Sequence, residues 1–282
     1  MITDRETNIL YLSPLLEVDY PSFSKEFFSK LNKYKVDLKF IPHTKDVWCR
    51  DYMPIQIREN SFARFTYDPP YLKNDKPFIS DNIAISTSME LQEVYHSILK
   101  VEGGNIVKSN NKVITTSRIF KDNPEIEKDW MVESIRDFLS VDEVIIIPEQ
   151  PKDFTGHSDG MVRFIDDETV MINDYQDEED REFVEKFYKV LAEHQLKIIE
   201  IPTSMYSNKT SKDATGCYIN YLQVGKIIFL PVFDRKEDKK VEDMFNTIFK
   251  IHDIVPVISN ELAEEGGILN CISWNIMTPK ST

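Results

Sequence analysis

Residues 8–14 read NILYLSP, a short apolar strand with no partner beside it in the sequence. A helical segment, SFSKEFFSKLNKYK at 22–35, and a second strand, LKFIP at 38–42, come next. At the far end of the chain, GILNCISWN at 267–275 reads as the first half of a hairpin that lacks its second strand. Pairing 8–14 with that segment supplies the missing strand, joins the two ends of the chain and removes exposed sheet edges.

The stretches between repeat one plan. Hairpins are marked by Asn-Asn, Asp-Asp and Val-Gly in NIVKSNNKVITT (105–116), MVRFIDDETVMI (161–172) and CYINYLQVGKIIFL (217–230). Each leads into an acidic amphipathic helix: EIEKDWMVESIRDFLS (125–140), EEDREFVEKFYKVLAEH (178–194) and KEDKKVEDMFNTIFK (236–250). Apolar residues recur there at helical spacing, and early Asp or Glu suits the first turn. Short apolar strands follow, EVIIIP (143–148), KIIEIP (197–202) and DIVPVI (253–258), and deliver the chain to a polar or Gly-rich turn. Residues 88–99, ahead of VEGGNI (101–106), read as helical. Units thus begin near residues 46, 101, 156, 216 and 266. The pattern predicts an α/β fold, a five-bladed α/β propeller with pseudo-fivefold symmetry and circular closure. An ordinary α+β domain is the plainer alternative, and a doubly wound fold is disfavoured because its phosphate-binding turn is absent.

Composition narrows the function classes. Asp and Glu number 48 against 34 Lys and Arg, a net charge of -14. Such a surface repels phosphate backbones, so no nucleic-acid partner is expected, and it concentrates small cations. Solubility alone would also account for it. Cys49, Cys217 and Cys271 are too few and too dispersed for a disulfide scaffold or zinc knuckle, which favours a cytoplasmic location. The amino terminus lacks a basic leader with an apolar core, and no stretch is long enough to span a bilayer. Homo-oligomerisation is left open.

The proposed closure turns the unit starts toward one axis, so residues far apart in sequence share a pocket. They carry Asp51 in KDVWCRDYMP, Glu102 in VEGGNI, His157 and Asp159 in GHSDGMVRF, and Cys271 in GGILNCISWN. A Cys with His and carboxylate partners is the composition of a nucleophile with an acid–base group. Alone, Cys271 reads as an inert buried thiol, His157 as a turn partner of Asp159, and Asp51 and Asp159 as turn caps. Glu102 alone is a solvated turn residue, Asp46 a surface charge and Trp48 core packing. Gly103, Gly104, Gly266 and Gly267 allow close backbone approach or are ordinary turn glycines. Arg50 and Arg163 read as structural partners of buried carboxylates.

In this order, between residues 44 and 275, the four blocks resemble the guanidino-group-modifying (pentein) superfamily. The likeness is greatest to the agmatine deiminase and bacterial peptidylarginine-deiminase-like family. The resemblance implies a pentein-type fold, a single catalytic domain over 1–282, and hydrolysis of a small cationic guanidine through an S-alkylthiouronium intermediate without metal or organic cofactor. Agmatine, giving N-carbamoylputrescine and ammonia, is the leading substrate. Free or modified arginine, amidino transfer to an amine, and catalytically silent guanidine binding are the alternatives. It assigns Cys271 as nucleophile, His157 as acid and base, Asp51 and Asp159 as the guanidinium clamp and Glu102 as an orienting group. Asp46 and Trp48 join the substrate-binding residues. Two departures stand out: Tyr52-Met53-Pro54 has no glycine before its proline, and Asn270 replaces the histidine often found before the cysteine.

Overall fold

The computed structural model describes residues 1–279, so the last three residues of the expected 1–282 domain lie outside the described residues. Fifteen strands are described: β1 (Ile9–Leu12), β2 (Asp37–Phe40), β3 (Ile55–Arg58), β4 (Ser61–Thr66), β5 (Val94–Lys100), β6 (Val107–Lys108), β7 (Lys112–Thr116), β8 (Glu143–Ile147), β9 (Val162–Phe164), β10 (Thr169–Asn173), β11 (Lys197–Ile201), β12 (Leu222–Val224), β13 (Ile227–Val232), β14 (Asp253–Ile258) and β15 (Ser273–Ile276). They form five three-stranded sheets, β15–β1–β2, β3–β4–β5, β6–β7–β8, β9–β10–β11 and β12–β13–β14. In every sheet the middle strand is antiparallel to the first and parallel to the third. A parallel third strand requires a crossover, and a helix supplies it.

The crossover helices follow one sequence rule. Phe23, Phe27 and Leu31 are buried in Pro21–Lys33; Met131, Ile135 and Leu139 in Lys128–Leu139; Phe183, Phe187 and Leu191 in Arg181–Glu193. Each set repeats at i, i+4 and i+8, so a single stripe faces the sheets. The Glu127 and Asp180 side chains accept bonds from the first free backbone N–H groups of the second and third of these helices. Left-handed Lys35, Ser140 and Gln195 lie just beyond the three C-termini.

β1 and β15 pair antiparallel with Ile9 opposite Ile276. This junction completes one sheet, but the expected circularly closed propeller is not what the chain builds. Among the described residues no sheet curls back on itself, and hydrogen-bond ladders end at the first and third strand of all five sheets. Side chains stand where ladder bonds would be needed. Gln56 of β3 bonds the Met277 carbonyl and amide, both at 2.7 Å, and Asn275 of β15 donates to the Gln223 carbonyl of β12 at 2.9 Å. Arg163 of β9 donates to the Tyr221 carbonyl at 3.0 Å. Inner-edge polar groups are thereby satisfied without a continuous sheet. The architecture is an α/β arrangement of small mixed sheets with crossover helices.

A second correction concerns residues 88–99. A helix does occur nearby, Asn82–Ser88, capped by the Asp81 carboxylate, but it stops there and the chain returns as β5. Glu90 and Glu93 have φ of 54° and 39°, which ends the helical path, and VYHSI then pairs parallel to β4. Among the described residues, no helix is long and apolar enough to cross a membrane.

Candidate active site

Each sheet's first strand is entered through a tight turn, and these turns carry the chemistry. The short helix Cys49–Tyr52 precedes β3, the 3-10 turn Gly103–Asn105 precedes β6 and Ser158–Gly160 precedes β9. Residues 217–220 and 267–271 precede β12 and β15. The turns are bonded to one another. Gly104 N–H donates to Asp51 Oδ1 at 3.0 Å, Arg50 N–H to the Cys271 carbonyl at 3.0 Å, and Ser158 N–H to Asn105 Oδ1 at 3.2 Å. A cavity of about 810 Å³ opens above them, walled by Asp46, Trp48, Asp51, His157, Asp159 and Cys271 among others. These six residues singled out in the sequence are thus gathered at one place. Glu102 stands behind His157, outside the cavity wall.

His157 is 4% exposed and lies between two carboxylates. Its Nδ1 is 3.6 Å from Asp51 Oδ1, and its Nε2 is 3.3 Å from Glu102 Oε2, off the line of a good hydrogen bond. Burial pulls the imidazolium pKa down, but Asp51, Glu102 and Asp159 outweigh it and raise it to about 10. Burial also drives Asp51 up, to about 8, against the opposing field of His157. Asp159 accepts from Asn270 Nδ2 at 2.6 Å and lies 3.8 Å from Cys271 Sγ. Burial, then Asp159 and Asp51, push the Cys271 thiol well above the usual cysteine range. A site holding three carboxylates and a single imidazolium favours a cationic occupant, and such an occupant reverses the field that keeps the thiol protonated.

Two polar side chains not singled out in the sequence, Asn220 and Tyr71, complete the geometry together with Asn270. Asn220 Oδ1 accepts from the Asn270 and Cys271 amides at 3.1 and 3.4 Å and lies 3.4 Å from Cys271 Sγ, fixing the cysteine turn. Its signal was positional, since it stands at the start of the fourth unit. The Tyr71 hydroxyl donates to Glu102 Oε2, and the ring packs edge-on against Phe154 at the cavity wall. Asn270, the departure from the usual histidine, holds Asp159. Asp46 caps the Trp48 amide through Oδ1 at 2.9 Å, while its buried Oδ2 has no partner among the described residues. Burial lifts its pKa to about 7.

The arginines divide. Arg163 pairs with Asp4 at 2.8 Å, as expected of a structural partner, whereas Arg50 bonds the neutral Asn270 carbonyl, Ser273 and Asn275. Cys49 and Cys217 are buried, and burial raises both thiols to about 12. Ligand atoms of Asp51, Glu102 and His157 lie within 4.8 Å of one another, close enough to hold a cation. His157 must lose its proton before it can ligate a metal, so proton and metal compete there.

A glycine is required where the turns touch. A Cβ at Gly104 would sit 2.6 Å from both Asp51 Oδ1 and His157 Nδ1. Gly104→Ala is therefore expected to push this pair apart, destabilising the fold by about 1–3 kcal/mol. Urea unfolding measures the loss, and a crystal structure of the variant measures the Asp51–His157 separation; a wild-type stability and separation would refute the close packing.

The sequence profile of the Porphyromonas-type peptidyl-arginine deiminase family matches residues 18–276. The chain belongs to that family. Curated sequences similar to this family member include an agmatine deiminase of Pseudomonas aeruginosa, 24% identical over 64% of this chain and 58% of its own. The chain spans 58 to 59% of the length of the first curated relatives it matches. Among solved structures, an agmatine deiminase from C. jejuni, a cysteine-to-serine variant with substrate bound, matches 98% of this chain and 96% of its own with a TM-score of 0.79 and 18% identity. The Enterococcus faecalis agmatine deiminase matches 98% and 94% with a TM-score of 0.77 and 16% identity. At these identities the structural likeness speaks to the fold.

Proposed function

We propose that this protein is a cysteine-dependent hydrolase of a small cationic guanidine, with agmatine as the leading substrate and free or modified arginine behind it. The observation that carries the reading is the shared cavity. Cys271 Sγ faces it 3.8 Å from the Asp159 carboxylate, with Asp51 and His157 on the same wall. Names among the relatives point the same way.

In this reading Asp51 and Asp159 grip opposite edges of the guanidinium and aim its carbon at Cys271 Sγ. The cation offsets the carboxylate field, and the thiol gives up its proton to solvent. The thiolate attacks the carbon, forming a C–S bond. His157, cationic at neutral pH, gives a proton to the departing nitrogen; the C–N bond breaks and ammonia leaves an S-alkylthiouronium. Neutral His157 then takes a proton from the attacking water, the C–S bond breaks, and a ureido product leaves with the thiolate restored. Glu102, held by Tyr71, orients His157. The unpaired Asp46 oxygen and the Trp48 face hold the substrate beyond its guanidine. The protein acts as one catalytic unit in the cytosol, consistent with three unpaired cysteines.

The cavity lining favours a cationic tail. Asp153, Asp177, Glu178 and Glu179 line it, and no arginine does among the described residues. Of the three lysines also in the wall, Lys152 and Lys212 are paired with Glu179 and Glu265, which leaves Lys209 as a single point charge. An amino-acid carboxylate finds no bidentate partner there. Agmatine should therefore exceed arginine in kcat/KM by about 10-fold or more. A panel measuring ammonia together with the ureido product tests this. Preference for arginine would overturn the substrate order. Transfer to glycine without a ureido product would make the protein an amidinotransferase, and saturable binding without turnover a silent guanidine binder.

A further inference from the structure

A second cavity, about 260 Å³, shares Asp159 with the first but has the opposite charge. Arg5, Arg50, Lys108, Arg163 and Lys250 line it, five cations against the three carboxylates of Asp4, Asp159 and Asp166. Asp159 is already engaged by Asn270 in the site above. In a chain of net charge -14 this is a local reversal of sign.

The cations are built in rather than scattered on the surface. The Lys108 and Arg163 side chains are 10% and 7% exposed. Arg163 is fixed by the Tyr221 carbonyl, by Asp4 and by the Tyr221 ring 4.5 Å beneath its guanidinium. The ammonium of Lys108 has three protons to donate, and among the described residues its one polar partner is Asp4 Oδ1 at 3.8 Å. Arg50 uses Nε and Nη2 on Asn270, Ser273 and Asn275, while its Nη1 makes no hydrogen bond among the described residues. Burial and the nearby Arg50 and Arg163 lower the Lys108 pKa, with Asp4 opposing. Lys108, Arg50 and Arg163 repel one another, Asp4 is the carboxylate paired with Lys108 and Arg163, and a further anion relieves the remaining repulsion.

We propose that Lys108, Arg50 and Arg163 form a binding site for a small inorganic oxyanion of the phosphate and sulfate type, held beside Asp4 beneath the Asp159–Asn270 pair. Forked guanidinium donors and a point-charge ammonium match oxyanion geometry, whereas the acidic cavity above repels such ligands. The oxyanion site adjoins the guanidine cavity through Asp159, but the proposal does not rest on the guanidine chemistry.

The test is calorimetric titration of the full chain with inorganic phosphate at constant ionic strength set by chloride. Saturable binding with a stoichiometry of one is expected, with sulfate competing. Lys108→Met, which removes the ammonium and keeps the apolar stem, should weaken binding at least 10-fold. Arg5→Ala, a truncation at the cavity wall outside the core, should weaken it less and serves if Lys108→Met does not fold. A thermal midpoint that rises saturably with phosphate, at lower phosphate concentrations in the wild type than in Lys108→Met, is the second readout. Absence of saturable binding to the wild type, or undiminished binding by both variants, overturns the proposal.

Discussion

Replacing Cys271 with alanine is expected to lower ammonia release from agmatine by at least about 10⁴-fold, since the proposed nucleophile belongs to a unit whose parts act together. The fold should survive. Cys271 is only partly buried, and Sγ contacts the polar groups of Asn220 and Asp159 rather than the apolar core. Its loss should therefore change stability by no more than about 1 kcal/mol. Cys49→Ala and Cys217→Ala provide the contrast. Burial holds both thiols at about 12, and the Cys217 thiol is spent on the Gly160 carbonyl. Both variants should keep their turnover while losing some core packing. Mass spectrometry of quenched wild-type reactions should find a substrate-dependent adduct on Cys271 alone. Turnover by a folded Cys271→Ala protein, or an adduct elsewhere, removes the nucleophile from the proposed mechanism.

The turns that build this site were readable because each unit announces its start with a polar or glycine-rich break after an apolar strand. Asp51, Glu102, His157, Asp159 and Cys271 all fall on such breaks and converge. Asn220 falls on the fourth, but nothing in CYINYLQVGKIIFL distinguishes it from an ordinary turn residue, and the neighbouring Cys217 is buried. Tyr71 lies in a stretch without periodicity, 31 residues from its partner Glu102, so nothing local in the sequence joins them. The strand at 94–100 was hidden for a different reason. Its outward residues include exposed Tyr95 and Ile98, so polarity does not alternate as in a half-buried strand, and its apolar spacing imitates a helix. Closure failed on a finer point. Apolar strands reveal which segments pair, whereas Gln56, Asn275 and Arg163 decide that neighbouring first strands meet through side chains. Buried polar residues inside strands were the available signal for that difference.

His157→Asn is expected to lower turnover about 10²–10⁴-fold, because in the proposed mechanism one residue serves both as acid for ammonia departure and as base for water attack. Early ammonia release and final hydrolysis should slow together, which single-turnover kinetics resolves. The same residue predicts a stability trend with pH. In the folded site Asp51 and Glu102 overcome burial and raise His157 to about 10 from an ordinary 6.5. Between those values the folded chain holds a proton that the unfolded chain has released. The stabilisation is fully present below about pH 6.5 and is lost as pH climbs through about 10. Burial raises Asp51 in the same direction, so its proton adds to the decline at the lower end of the window. The wild-type unfolding free energy should fall over this range, and the fall should be shallower in His157→Asn. Asparagine leaves Asp51 and Glu102 without their cation, so the variant should also be less stable near neutrality. Equal pH slopes in the two folded proteins would place the proton elsewhere, and normal turnover by the variant would remove His157 from both proton transfers.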